Sequence, residues 1–162
     1  MAGIEVADKI GKVYADGVQI KEVYTGPDLI YKAESDPITL TKSVLQNEVG
    51  NGGGPMNKAH IDYKITEDWE TMTVLDSYWG KSYGAFQTVL YLIDGSTTTT
   101  LVSRSGGYNG YADSVRMEPI VASGVTYPVK KGQAIRLEVG ANFNNNLSGQ
   151  FTTTSWITFK LT

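Results

Sequence analysis

Between Lys58 and Ile65 every second residue is apolar: Ala59, Ile61, Tyr63 and Ile65 alternate with Lys58, His60, Asp62 and Lys64. Successive side chains of an extended strand point to opposite faces, so this rhythm predicts a strand with one dry and one wet face. It returns where Ile135, Leu137 and Val139 alternate with Arg136 and Glu138, and again where Ile157, Phe159 and Leu161 alternate with Trp156, Thr158 and Lys160. Strand-like stretches at Thr39 to Val49, Thr71 to Tyr78, Ala85 to Ile93, Thr97 to Val102 and Val115 to Ala122 bring the count to at least eight. Composition agrees, since 18 Gly and 17 Thr stand against 10 Ala, a balance that favours turns and strands over helix. The expected fold is all-β, an antiparallel β-sandwich of the jelly-roll type. Gly- and Asn-rich stretches at Gly50 to Pro55, Ser103 to Asp113 and Asn142 to Gly149 read as loops. A single helical turn is expected at Glu67-Asp68-Trp69, capped by Thr66.

The N-terminus carries a repeat. Lys12-Val13-Tyr14-Ala15-Asp16-Gly17-Val18-Gln19-Ile20 aligns, ten residues on, with Glu22-Val23-Tyr24-Thr25-Gly26-Pro27-Asp28-Leu29-Ile30. Each unit reads as a short β segment ending in a turn signal, which predicts a three-stranded meander over Gly11 to Ala33. So small a meander cannot bury a core and is expected as an appendage. Ser35-Asp36-Pro37 breaks regular structure, because Pro37 disfavours helical geometry at Asp36. The expected division is therefore an attachment segment, 1–35, and a sandwich, 36–162.

Several chemistries are unsupported by the residues present. Without cysteine there is no disulfide framework and no thiolate nucleophile or ligand. The longest apolar run, Thr88 to Ile93 with its flanks, is too short to span a bilayer, and the N-terminus lacks the layout of a signal peptide, so no membrane insertion is expected. A net charge of −3 offers no footprint for nucleic acid. The only imidazole is His60, outward on a strand; with Asp62 it could offer two metal ligands, or stand as a plain solvent-facing pair. Glu67, Asp68 and Glu70 read as turn solvation rather than a glycosidase pair, and the Gly50 to Gly54 stretch lacks the Lys-Ser or Lys-Thr of a phosphate loop. No catalytic residue, metal ligand or cofactor is assigned, and the chain is expected not to be an enzyme.

The aromatic and amide residues say more. Tyr78, Trp79 and Tyr83 surround Gly80, and Tyr108 and Tyr111 surround Asn109-Gly110; such rings either stack on sugars or tether loops to a small sandwich. Asn144, Asn145 and Asn146 add amide donors and acceptors suited to sugar hydroxyls and equally usual in a solvated turn. Two antiparallel strands, residues 115 to 122 and 133 to 141, separate these loops, which returns the chain to the end where it started. Tyr108, Asn109, Tyr111, Asn144, Asn145 and Asn146 are thus the candidate glycan-binding residues.

Over residues 12 to 32 the repeat resembles the short Val-Tyr-x-Gly…Leu-Val-Tyr units of tailed-bacteriophage virion proteins. The stretch from Tyr127-Pro128-Val129-Lys130-Lys131-Gly132-Gln133 through Phe159-Lys160-Leu161 resembles the closing strands of tumour-necrosis-factor-like or complement-type jelly rolls used in phage fibre heads. The resemblance implies a virion accessory protein made in the host cytoplasm, with Val13, Tyr14, Val23, Tyr24, Leu29 and Tyr31 attaching it to other virion proteins. It also implies a homotrimer around an axis of aromatic and aliphatic side chains. Capsid decoration or a head fibre is the first role; a tail receptor-binding protein or a carbohydrate-binding module recognising host surface glycans is the alternative.

Overall fold

The computed structural model describes residues 5–6, 13–15, 18–20, 22–25, 28–46, 56–80, 84–108, 118–142 and 151–162; among them are thirteen strands and no helix. The N-terminal part departs from a single meander. Strands β1 (Glu5–Val6), β2 (Val13–Ala15) and β3 (Val18–Ile20) form one antiparallel sheet, while β4 (Glu22–Thr25) and β5 (Asp28–Lys32) form a separate two-stranded one. Each copy of the repeat is a whole hairpin rather than one strand and a turn. The first closes at Ala15↔Val18 around Asp16-Gly17 and the second at Thr25↔Asp28 around Gly26-Pro27, both connections of the two-residue length that tight hairpins favour.

The remaining strands are β6 (Ile38–Gln46), β7 (Asn57–Lys64), β8 (Thr71–Tyr78), β9 (Gly84–Asp94), β10 (Thr97–Tyr108), β11 (Thr126–Pro128), β12 (Ala134–Asn142) and β13 (Phe151–Leu161). They form two four-stranded sheets, β10-β9-β12-β7 and β11-β8-β13-β6. The antiparallel pairs nest: β9 with β10, β8 with β11, β7 with β12 and β6 with β13. The innermost pair turns through two residues, Gly95 and Ser96, with Gly95 at φ 59° as a tight hairpin requires. Eight strands nested as one long hairpin, with successive pairs dealt alternately to two sheets, make a jelly roll.

Alternation sorts the faces as expected. Ile135, Leu137, Ile157, Phe159 and Leu161 are fully buried between the sheets with Ile65, Met72, Val74 and Leu90. Burying each such side chain contributes roughly 1.5–3 kcal/mol. Tyr63 meets Phe159 edge-to-face, ring centroids 5.8 Å apart and planes at 78°. The chain joins this body ahead of Pro37: Ala33 is buried, the Ser35 N–H donates to the Leu161 carbonyl at 2.8 Å, and the Leu161 N–H donates to Ser35 Oγ at 2.9 Å.

Three local expectations are corrected. Ser103 to Tyr108 belongs to β10 rather than to a loop, because it pairs residue for residue with Gly84 to Val89 of β9. Its lack of apolar alternation is that of a polar edge strand. Residues 118–122 are not a strand; the short β11 further on pairs with β8 instead. Ile120 and Val121 are buried, yet their backbone is answered by side chains rather than a ladder. Arg104 Nε donates to the Ile120 carbonyl at 3.0 Å, the Val121 N–H donates to Ser77 Oγ at 3.1 Å, and that hydroxyl donates to the Val121 carbonyl at 2.8 Å. At Glu67-Asp68-Trp69 the Trp69 N–H donates to the Glu67 carbonyl at 2.9 Å, a three-residue turn in place of a helical one.

Sheet edges invite pairing with other chains, and three of the four edges of the roll's two sheets are blunted. Strand β6 turns Lys42 to the same side as Leu40 and Val44, β7 carries Lys58 and Lys64, and β11 is three residues long and ends at Pro128.

Candidate functional site

The sandwich interior is filled by aliphatic and aromatic side chains, and its buried polar groups are engaged. Thr88 Oγ1 and Ser155 Oγ share a hydrogen bond of 2.8 Å, and the Gly80 N–H donates to Ser155 Oγ at 3.1 Å. Gln133 Oε1 accepts from the Lys130 N–H at 2.9 Å, and its Nε2 donates to Asp94 at 3.2 Å.

One end gathers the connections. Strand β9 lies between β10 and β12, with Tyr108 of β10 opposite Gly84 and Asn142 of β12 opposite Ala85. The connections 109–117 and 143–150 thus leave from either side of the start of β9. Two strands, β11 and β12, separate them, although the first of these is not the 115–122 stretch expected. Ala141 pairs with Asn57 and Phe151 with Gln46, and Val44 packs with Val139, Ala141 and Ala59, which places the end of β6 and the start of β7 at this same end. Tyr108 closes β10; Asn109, Tyr111, Asn144, Asn145 and Asn146 lie outside the described residues.

The attachment candidates divide between two sheets. Val13 and Tyr14 lie on β2, where Tyr14 pairs with Glu5 and Gln19. Val23 and Tyr24 on β4 pair directly with Tyr31 and Leu29 on β5, so these four share one hairpin.

The outer face of the β7–β12 pair is an ion-pair lattice. His60 is exposed opposite Glu138; Asp62 accepts two hydrogen bonds of 2.7 Å from the Arg136 guanidinium, and Lys58 Nζ donates to Glu138 at 2.9 Å. The guanidinium hydrogen bond holds the Asp62 carboxyl below its ordinary range, and Arg136 is raised in turn. Both Asp62 oxygens are occupied by Arg136 rather than offered beside His60. A carboxylate whose folded pKa is depressed contributes stability at pH above its unfolded value of about 3.9, and that contribution is lost as pH falls through the folded value. Asp62→Asn is expected to lower stability at neutral pH by up to about 1 kcal/mol, given its exposure, with the deficit shrinking below about pH 4. Urea unfolding of both proteins across pH 2–7 checks this.

Among the described residues, the outer face of the other sheet carries the ion pair of Lys160 with Glu34 in place of such a lattice. Trp156, in the middle of β13, lies between its cross-strand partners Tyr78 of β8 and Thr41 of β6. The Trp156 and Tyr78 rings stand 6.4 Å apart at 36°. Around them Thr39 and Thr158 share a hydroxyl–hydroxyl bond of 2.8 Å, and Ser43 and Thr154 another of 2.7 Å. The sequence signal for this site is a tryptophan at the wet parity of its strand among threonines, which the loop-centred candidates do not include. Of the rings around Gly80, Trp79 is buried against Phe86 at 5.1 Å, a loop tether, while Tyr78 faces outward. Tyr83 lies outside the described residues.

By its own strand order the part of the chain from β6 to β13 is an eight-stranded jelly roll. No family model and no curated protein matches the sequence. Solved structures that resemble the fold at low similarity include two of infectious bursal disease virus. A structure of the infectious bursal disease virus Gt strain is 16% identical with a TM-score of 0.37, over 98% of this chain and 41% of that one. The VP2 subviral particle of infectious bursal disease virus is 15% identical with a TM-score of 0.36, over 86% of this chain and 37% of that one. This chain thus spans about two fifths of the length of each.

Proposed function

We propose that this chain is a non-enzymatic structural protein of a tailed-phage virion, attached through residues 1–35 and displaying the jelly roll outward as a trimeric capsid decoration or head fibre. The observation that carries the reading is the nested eight-strand roll closed over a largely apolar core. Jelly rolls serve viral capsids, lectins and cupins, so the step from fold to virion is one of analogy. Ile65, Val74, Leu90, Leu137 and Phe159, packed between the sheets, give the roll the rigid core that a displayed scaffold needs. The phage-like repeat supports the attachment role, and each of its copies forms a hairpin, the first extended by β1. The outward His60, with its neighbour Asp62 held by Arg136, supports a role without catalysis.

A tail receptor-binding protein is the second reading, favoured by the departure of the connections 109–117 and 143–150 from adjacent strand ends. Negative-stain imaging of purified particles labelled with an antibody against the full chain tests both. Label on the head supports decoration, label on the tail tip supports receptor binding, and unlabelled particles overturn the virion role. Light scattering of the purified protein is expected to give the mass of three chains; the mass of one overturns the trimer.

A further inference from the structure

We propose that the outer face of the β11-β8-β13-β6 sheet is a saccharide-binding platform, with Trp156 and Tyr78 as its stacking rings and the threonine and serine hydroxyls around them as its polar contacts. The site stands apart from the loop-end residues considered above, and it does not depend on where in a virion the protein resides.

Position comes first. Ser155 and Ile157 are fully buried between the sheets, so the intervening Trp156 stands on the outer face, half-buried, with Thr154 and Thr158 on the same face one pleat to either side. Tyr78 beside it and Thr41 opposite complete a strip across three strands. The ring planes lie 36° apart at 6.4 Å, a shallow corner in which both rings present surface to solvent. Aromatic carbon faces take the C–H face of a pyranose, and two rings in a strip match successive units of a chain.

Polar chemistry points the same way. Hydroxyls both donate and accept, as sugar hydroxyls do, and each bonded pair, Thr39 with Thr158 and Ser43 with Thr154, uses one of its two hydroxyl hydrogens on its partner. Exposed Thr41 and Thr152 extend the array.

Charge selects the class of ligand. Lys160 of this face is paired with Glu34 at 2.9 Å, Lys42 lies at the inward parity of β6, and Asp76 is the other charged side chain that the described residues place here. The face around the rings is therefore close to neutral. A phosphate backbone or an anionic membrane would find no basic array on it, whereas an uncharged oligosaccharide matches it in charge and hydrogen bonding. The β7–β12 outer face, with Lys58, Asp62, Arg136 and Glu138, shows what a charged surface of this same chain looks like.

The test titrates the full chain with neutral hexasaccharides of glucose, mannose, galactose and N-acetylglucosamine, reading tryptophan fluorescence and binding heat. At least one is expected to bind, and Trp156→Ala to weaken it roughly five- to tenfold, the worth of one stacked ring. Trp156→Tyr, which keeps a ring, is expected to retain most of the affinity, and Thr41→Lys, which puts a long charged side chain beside the rings, to weaken it without altering the core. These two variants keep the test decisive if Trp156→Ala folds poorly. No response to any hexasaccharide at millimolar concentration overturns the proposal, as does undiminished binding by folded Trp156→Ala. Self-association abolished by Trp156→Ala without any saccharide response would assign the face to a second copy and likewise overturn it. Particle labelling reads out independently, so failure here is distinguishable from failure of the virion role.

Discussion

Phe159→Ala is expected to lower the unfolding free energy by roughly 3–5 kcal/mol, the range for removing a fully buried phenylalanine. Phe159 has no exposed surface and stands on β13, the strand that joins β6 to β8 within its sheet. Its ring takes the edge-to-face contact with Tyr63 of the opposite sheet, so truncation opens a cavity across the sandwich midplane and removes an inter-sheet contact. Small domains are stable by about 5–15 kcal/mol, so the variant would sit close to unfolding at room temperature. Thr41→Ala, on the wet face of β6, is expected to stay within about 0.5 kcal/mol of the parent. Urea unfolding with equal m-values measures both, and a loss under about 1 kcal/mol for Phe159→Ala would show that the sandwich does not close over this ring.

Gly80→Ala is expected to be nearly as damaging, for a different reason. A methyl group built there would overlap the carbonyl oxygen of Thr154, and backbone cannot rotate aside as a flexible side chain can. Relief requires β13 or the chain leaving β8 to move, which breaks the bond from the Gly80 N–H to Ser155 Oγ and loosens Ser155 from Thr88. Overpacking costs about 1–3 kcal/mol and an unpaired buried polar group a similar amount, giving a loss of roughly 3 kcal/mol or more. Ser155→Ala removes the hydroxyl without the clash and is expected to cost about 1–3 kcal/mol. Thermal unfolding of the two variants separates clash from hydrogen bond. If Gly80→Ala melts with or above Ser155→Ala, the close approach of the chain to Thr154 is not what holds this corner.

Alternation along the chain determined which side of each strand is dry. Ile135, Leu137 and Val139 are buried while Arg136 and Glu138 reach solvent, as the pleat requires of any strand with one covered face. The turn residues likewise marked the N-terminal hairpins, because Asp-Gly and Gly-Pro act within a few residues of themselves. Tertiary structure alone decided which strands meet. The backbone ladder is nearly the same for every residue, so nothing local tells β6 to pair with β13 rather than with its sequence neighbour. The same holds for the polar run Ser103 to Tyr108, drawn into β10 by β9, and for Ile120 and Val121, apolar enough for a strand but bound by the side chains of Arg104 and Ser77. It holds most of all for the Trp156 face. One tryptophan at wet parity is a local fact, but its neighbours Tyr78 and Thr41 come from strands far away in sequence, and only the closed roll sets them side by side.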